Sequence, residues 1–158
     1  MTTDVSAIEL RSGNAADIAA VERLMADAFD PRFGEAWTRG QCLGVLGMPG
    51  VWLTLAEVKG APAGFALARA VADESELLLL ATARACRGRG VGGALLGAVV
   101  EAARARDLAT LHLEVRAGND AVRLYTQGGF AKVGERRGYY RGRDGRAYDA
   151  QTFRRNLR

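Results

Sequence analysis

The sequence predicts an α/β domain built on one mixed, largely antiparallel sheet of about seven strands flanked by helices. Three observations carry this expectation. Runs with strand character at residues 8–11, 51–57, 63–72, 76–81, 110–115, 130–141 and 147–155 are interspersed with segments of helical periodicity. The fourth run enters a glycine-rich turn that opens directly into a helix. The last two are joined by Arg143-Asp144-Gly145-Arg146, whose Asp-Gly pair marks an antiparallel hairpin. The resulting order is β-α-α-β-β-β-α-β-α-β-β, and residues 1–158 read as one domain, long enough to bury a core of its own.

Taken in order, residues 8–11 alternate as a short strand. Asn14 then stands where a helix cap is needed, with Asp17 in the first turn and Ile18, Val21, Leu24, Met25 and Ala28 at helical spacing. Asp30-Pro31 should end this helix, because the residue before proline disfavours the helical conformation. Residues 35–48 suggest a second, loose helix with Trp37, Cys42, Leu43 and Leu46 on its apolar face, weakened by Gly40, Gly44 and Gly47. A meander follows, with turns at Lys59-Gly60-Ala61-Pro62 and at Asp73-Glu74-Ser75. Leu77, Leu78, Leu79 and Leu80 in succession predict a strand covered on both faces, at the middle of the sheet.

The helix over 91–106 should turn Val91, Leu95, Ala98, Val99 and Ala102 inward. Gly92, Gly93 and Gly97 each cost it roughly 1 kcal/mol against alanine. Such a cost near the N-terminus implies that a ligand or a close neighbour needs bare backbone there. In the strand at 110–115, Leu111, Leu113 and Val115 point one way and His112, Glu114 and Arg116 the other. Residues 119–127 read as a short helix ending at Gly128-Gly129.

The turn Arg87-Gly88-Arg89-Gly90-Val91-Gly92-Gly93 suits an anion. The first N–H groups of a helix lack intrahelical partners, the helix dipole is positive there, and glycine lets backbone close on phosphate oxygens. Arg87 and Arg89 can add charge-assisted hydrogen bonds. Three phosphate-binding patterns compete. The nucleotide-triphosphate loop needs a lysine that is missing. The dinucleotide pattern G-x-G-x-x-G fits Gly88, Gly90 and Gly93, but it should begin a run of parallel βαβ units, and only 65 residues follow, the last of them a hairpin. The third pattern, Arg/Gln-x-x-Gly-x-Gly/Ala, is filled by Arg87, Gly90 and Gly92.

On this last pattern the sequence resembles the Gcn5-related N-acetyltransferase (GNAT) superfamily, in which the loop cradles the pyrophosphate of acetyl-coenzyme A. The C-terminal half is similar to the RimI-type enzymes that acetylate the N-terminal alanine of a ribosomal protein. The residues carrying this are Leu113-Glu114-Val115-Arg116-Ala117, Leu124-Tyr125, Gly129-Phe130, Arg136-Arg137-Gly138-Tyr139-Tyr140 and Asp144-Gly145-Arg146. The resemblance implies the GNAT fold, with acetyl-CoA as co-substrate and Glu114 and Tyr125 as general base and general acid. It further implies a cofactor site of Leu80, Ala81, Thr82, Arg87, Gly88, Arg89, Gly90, Val91, Gly92, Gly93 and Asn119, with Tyr139 and Tyr140 toward the acceptor. Two departures stand out. Thr82-Ala83-Arg84 replaces the usual Val-x-Pro. Asn119 lies six residues before Tyr125 where the family has seven, so Asn119 or Gly118 takes the family's position.

Composition agrees with this class. About half the residues are apolar and a quarter charged, and no apolar run approaches the ~20 residues of a membrane span. Met1-Thr2-Thr3-Asp4 has neither a basic start nor an apolar core, so a cytoplasmic protein is expected, as a monomer or homodimer. Cys42 and Cys86 read as reduced thiols, and a single histidine, His112, leaves no metal expected. From Ala131 onward nine Lys or Arg face three acids, giving +6 of a net +4. That end can meet an anionic partner, although tyrosines adjacent in one strand lack the interleaving of nucleic-acid stacking platforms. The expected partner is a protein N-terminus. Two rivals are an acetyltransferase for a small amine or antibiotic, favoured by a strongly acidic groove, and a non-catalytic acyl-CoA-binding domain.

Overall fold

The computed structural model describes residues 7–158; the expectation drawn from Met1 to Asp4 lies outside them. The elements are β1 (Ile8–Gly13), α1 (Ile18–Ala28), α2 (Arg39–Leu46), β2 (Val51–Val58), β3 (Ala61–Val71) and β4 (Glu74–Thr82). They continue as α3 (Val91–Ala105), β5 (Thr110–Arg116), α4 (Ala121–Gln127), β6 (Ala131–Arg141) and β7 (Ala147–Asn156). Asn14 and Asp17 form a reciprocal capping box that leads through a single 3-10 turn into α1, which ends two residues before Asp30.

The strands make one seven-stranded sheet in the order β1-β2-β3-β4-β5-β7-β6, with β4 at its centre. Every neighbouring pair is antiparallel except β4–β5. A single parallel pair rules out the run of βαβ units that the dinucleotide pattern requires. This is the mixed, largely antiparallel seven-stranded sheet that the sequence predicts.

Both faces of β4 are covered, through a bulge. Leu67 of β3 faces Leu79 while Ala68 faces Leu77, which makes Leu78 the extra residue. The bulge breaks the two-residue alternation, so Leu77 joins the core under α3 and Leu79 the core under α1. The α3 core holds Leu95, Val99, Leu111, Leu113 and Phe153; the other holds Val21, Met25, Leu55 and Phe65.

Several sequence expectations are corrected. The second helix is shorter than 35–48, because Thr38 and Gln41 form a capping box that fixes its start and leaves Glu35 to Trp37 outside it. Cys42 is buried from it as expected, but Leu43 is exposed. The buried stripe of α3 is Val91, Leu95, Leu96, Val99, Val100 and Ala103, rotated about one position from the expected one. The turn before β4 is Ala72-Asp73, and Ser75 already lies in the strand, donating its hydroxyl to the Thr110 carbonyl at 2.7 Å. Strand β6 does not alternate throughout: between Arg136 and Tyr140 three residues stand opposite Asp149 alone, and the Gly138 N–H donates to the Asp149 carboxylate.

Candidate active site

The parallel pairing of β4 and β5 covers only Glu74 to Leu77 against Thr110 to Leu113. Beyond Leu77 the strands part: β4 continues to Thr82 along β3, while Glu114, Val115 and Arg116 continue along β7. The edge of β4 from Leu78 to Thr82 thus lacks a partner strand on this side. Its unpaired N–H and C=O groups are available to a ligand that can pair with them. A cleft of about 610 Å³ opens at the splay, lined by Leu80, Ala81, Thr82, Arg87, Gly88, Gly90, Glu114, Asn119, Tyr125, Tyr139 and Tyr140 among others.

At one end lies the glycine turn. Gly88 and Gly90 have φ of +75° and +85°, a left-handed conformation that favours glycine, and a Cβ built on either would meet nothing within 4 Å. The turn therefore faces open space at the N-terminus of α3, where the helix leaves its first N–H groups without internal partners. Gly92 is packed instead, since a Cβ there would come within 3.2 Å of Leu124. Arg87 lines the cleft, and its guanidinium donates to the Ala28 carbonyl at 2.8 Å. Arg84 is tied alongside, through its N–H to the Asp27 carboxylate and its Nε to the Asp27 carbonyl, each at 2.7 Å. These bonds fasten the turn to the C-terminus of α1, whose dipole favours cations. Arg89 and Gly93 do not line the cleft.

The other end is built where the segment between α1 and α2 meets the β6–β7 hairpin. Backbones touch there: a Cβ on Gly34 would fall 2.0 Å from the Arg141 carbonyl oxygen, and one on Gly142 would fall 1.8 Å from that of Arg32. The contact holds Glu35 over the cleft. Glu35 accepts from Arg116 Nε at 3.0 Å and from Asn119 Nδ2 at 2.9 Å, and the Arg116 guanidinium also stacks 3.7 Å over Phe33. Asn119 accepts in turn from the Ala121 N–H, setting the start of α4. Both Asn119 and Gly118 line the cleft.

Glu114 lies on the face of β5 expected for it. Its Oε1 pairs with Arg136 Nε at 3.0 Å and its Oε2 accepts from Thr152 Oγ1 at 3.3 Å. The carboxylate is 10% exposed and the guanidinium 61%, so the pair sits at the cleft's edge with its basic half in water. Tyr125 is buried edge-on to Phe130, and burial, aided by the Glu35 carboxylate, pushes its phenol well above the usual tyrosine range. Tyr140 donates to the Glu114 carbonyl at 3.3 Å; burial first, then Glu35, raises its phenol too. Tyr139 stays exposed, edge-on to Tyr140.

Sequence reasoning missed Glu35, Arg84 and the Arg136 partner of Glu114. No local pattern announces any of them, since each contact joins segments at least 20 residues apart. Among the described residues, no group of His, Cys, Asp or Glu is arranged to hold a metal ion, and no helix is long and apolar enough to cross a membrane.

The chain belongs to the acetyltransferase (GNAT) family, which it matches over residues 18–130. It is 41% identical to the ribosomal protein bS18-alanine N-acetyltransferase of Escherichia coli (strain K12), over 55% of this chain and 60% of that protein. It is 33% identical to the N-alpha-acetyltransferase RimI of Mycobacterium tuberculosis, over 99% of this chain and 97% of that one. The crystal structure of the E. coli ribosomal-protein-S18-alanine N-acetyltransferase superposes with a TM-score of 0.85 at 28% identity, covering 96% of this chain and 94% of that one. The family uses acetyl-coenzyme A.

Proposed function

We propose that this chain is a single-domain, acetyl-CoA-dependent N-acetyltransferase acting on the α-amino group of a protein N-terminus, with a ribosomal protein as candidate acceptor in the cytoplasm. The observation that carries this reading is one cleft that joins an open glycine turn at a helix N-terminus to Glu114 and Tyr125 across an unpaired strand edge. The names of the relatives point to the same acceptor.

The residues present fit the co-substrate. Gly88, Gly90 and the first N–H groups of α3 would hold its pyrophosphate, and the free edge of β4 would pair with the amides of its pantetheine arm. When bound, acetyl-CoA supplies an acetyl group activated as a thioester. Backbone N–H groups near Leu80 to Thr82 would polarise the acetyl carbonyl. Arg87 serves the site by fixing the turn to α1, and Asn119 by linking α4 to Glu35.

An α-amino group has a pKa of about 8, so near neutral pH it must lose a proton before its nitrogen can attack. Glu114 takes that proton, directly or through a water. Arg136 occupies the same carboxylate, but its guanidinium is the exposed half of the pair, so it can turn into water as an incoming ammonium takes its place. Tyr125 stays protonated across the working pH range. A thiol ordinarily titrates at about 8.5 and a phenol at about 10, so outright proton transfer from Tyr125 to the departing sulfur is uphill. Its role is then a hydrogen bond that stabilises the developing thiolate. The carboxylates of Glu35 and Glu114 are each neutralised by an arginine.

The test is coenzyme A release with short peptides, comparing wild type with Glu114→Gln. The expected result is a fall in kcat of at least about 100-fold, the range of general-base catalysis, with acetyl-CoA affinity changed less than twofold. Parallel loss of rate and cofactor affinity would make Glu114 structural and contradict the assignment.

A further inference from the structure

Beside the cleft lies a smaller cavity of about 190 Å³, between α2 and the paired ends of β3, β4 and β5. Trp37, Glu76 and Leu78 line both spaces, so the cavity adjoins the cleft across these three residues. Its remaining apolar wall is Val45, Met48 and Val71. Met48 is 38% exposed and Val71 58%, which leaves apolar surface at its rim without a partner. The polar wall is Glu74, Ser75, Glu76 beside His112 at 3.9 Å, and Arg69, whose Nε is buried with no hydrogen-bond partner.

The position of this chamber decides what can enter it. His112 lines it, and Glu114 lies two residues further along the same face of β5, about 6.6 Å away at the rise of a parallel strand. An α-amino nitrogen held at Glu114 places the side chain of its own residue within reach of the chamber. A cavity of about 150 Å³ can hold a benzene molecule, so the volume here admits a side chain of four heavy atoms. Methionine matches best. Its unbranched chain fills irregular apolar space, and its thioether is a weak acceptor for a donor such as Arg69 Nε.

Resting on the acetyltransferase reading, we propose that this chamber is the subsite for the first side chain of the acceptor, and that it admits a long apolar residue, methionine above all, in addition to alanine. The experiment compares kcat/KM for peptides identical except for Ala, Met, norleucine or Leu at the first position, with wild type and with Val45→Phe, which fills the chamber. Met-first peptide is expected to react at least as well as Ala-first. Val45→Phe is expected to lower kcat/KM for Met-first peptide about tenfold, the scale of a misfit in an apolar pocket, and to leave Ala-first within twofold. Should Val45→Phe fail to fold, Val71→Phe at the exposed rim makes the same comparison. Turnover of Ala-first peptide alone, or an equal loss on all peptides in the filled variant, overturns the subsite and leaves the enzyme reading standing. Silence of wild type on every peptide overturns both.

Discussion

Replacing Glu35 with alanine removes the side chain that fastens the segment between α1 and α2 over the cleft. The carboxylate is 9% exposed and its Arg116 partner 13%, and both of its oxygens are engaged. Removing one member of a buried ion pair costs about 3–5 kcal/mol, because the other charge is left uncompensated. Arg116 would keep its stacking on Phe33, worth about 0.5–2 kcal/mol, and a 3.3 Å bond to the Ala117 carbonyl. The lower end, about 3 kcal/mol, is therefore expected. In a domain of this length that corresponds to a fall in Tm of roughly 6–12 °C. Thermal and urea unfolding would measure it, and a double-mutant cycle would isolate the pair. Adding Arg116→Met to Glu35→Ala should recover at least about 1 kcal/mol by removing the orphaned charge. A single variant within about 0.5 kcal/mol of wild type would show that the pair is solvated and refute the reasoning.

Three further outcomes are expected. Gly90→Ala should cost about 1–2 kcal/mol through its positive φ alone, since a Cβ there has room, yet weaken acetyl-CoA binding by at least tenfold in calorimetry; unchanged affinity would remove the cradle. Both Tyr125 and Tyr140 have phenols raised by burial, so the folded state holds protons that the unfolded chain releases above about pH 10. Their contribution is complete below that pH and is lost as pH rises through the folded values; Tyr125→Phe should flatten the alkaline fall in denaturation curves, and an unaltered slope would contradict this. Cys86 lines the cleft whereas Cys42 is buried with its thiol pushed up by burial. Iodoacetamide should label Cys86 first and acetyl-CoA, whose sulfur is blocked as a thioester, should protect it, as peptide mass spectrometry would show; equal labelling with and without ligand would place the ligand elsewhere.

The order of elements was legible because each rests on local chemistry. Asn14 and Asp17 cap a helix, Asp144-Gly145 turns a hairpin, and alternation along β5 separates Leu113 from Glu114. The glycine turn was legible for the same reason. What escaped depends on distant partners. The bulge at Leu78, which lets four successive leucines serve two cores, follows from the register with β3. Arg87 stands in the loop pattern and lines the cleft, but its bond to a carbonyl at the end of α1 is one that no sequence window reveals. Glu35 stands at the start of the segment expected as a loose helix, and only the closing of Gly34 and Gly142 against neighbouring backbone brings it to Arg116 and Asn119.

The central claim, acetyl transfer to a terminal α-amine, is tested most directly by mass spectrometry with isotopically labelled acetyl-CoA. The acceptor would be an Ala-first peptide that also carries an internal lysine. The account predicts the label on the first residue's nitrogen, with the lysine unmodified and an N-terminally blocked peptide inert. Label on the lysine, or none on a peptide that the protein binds, would contradict it.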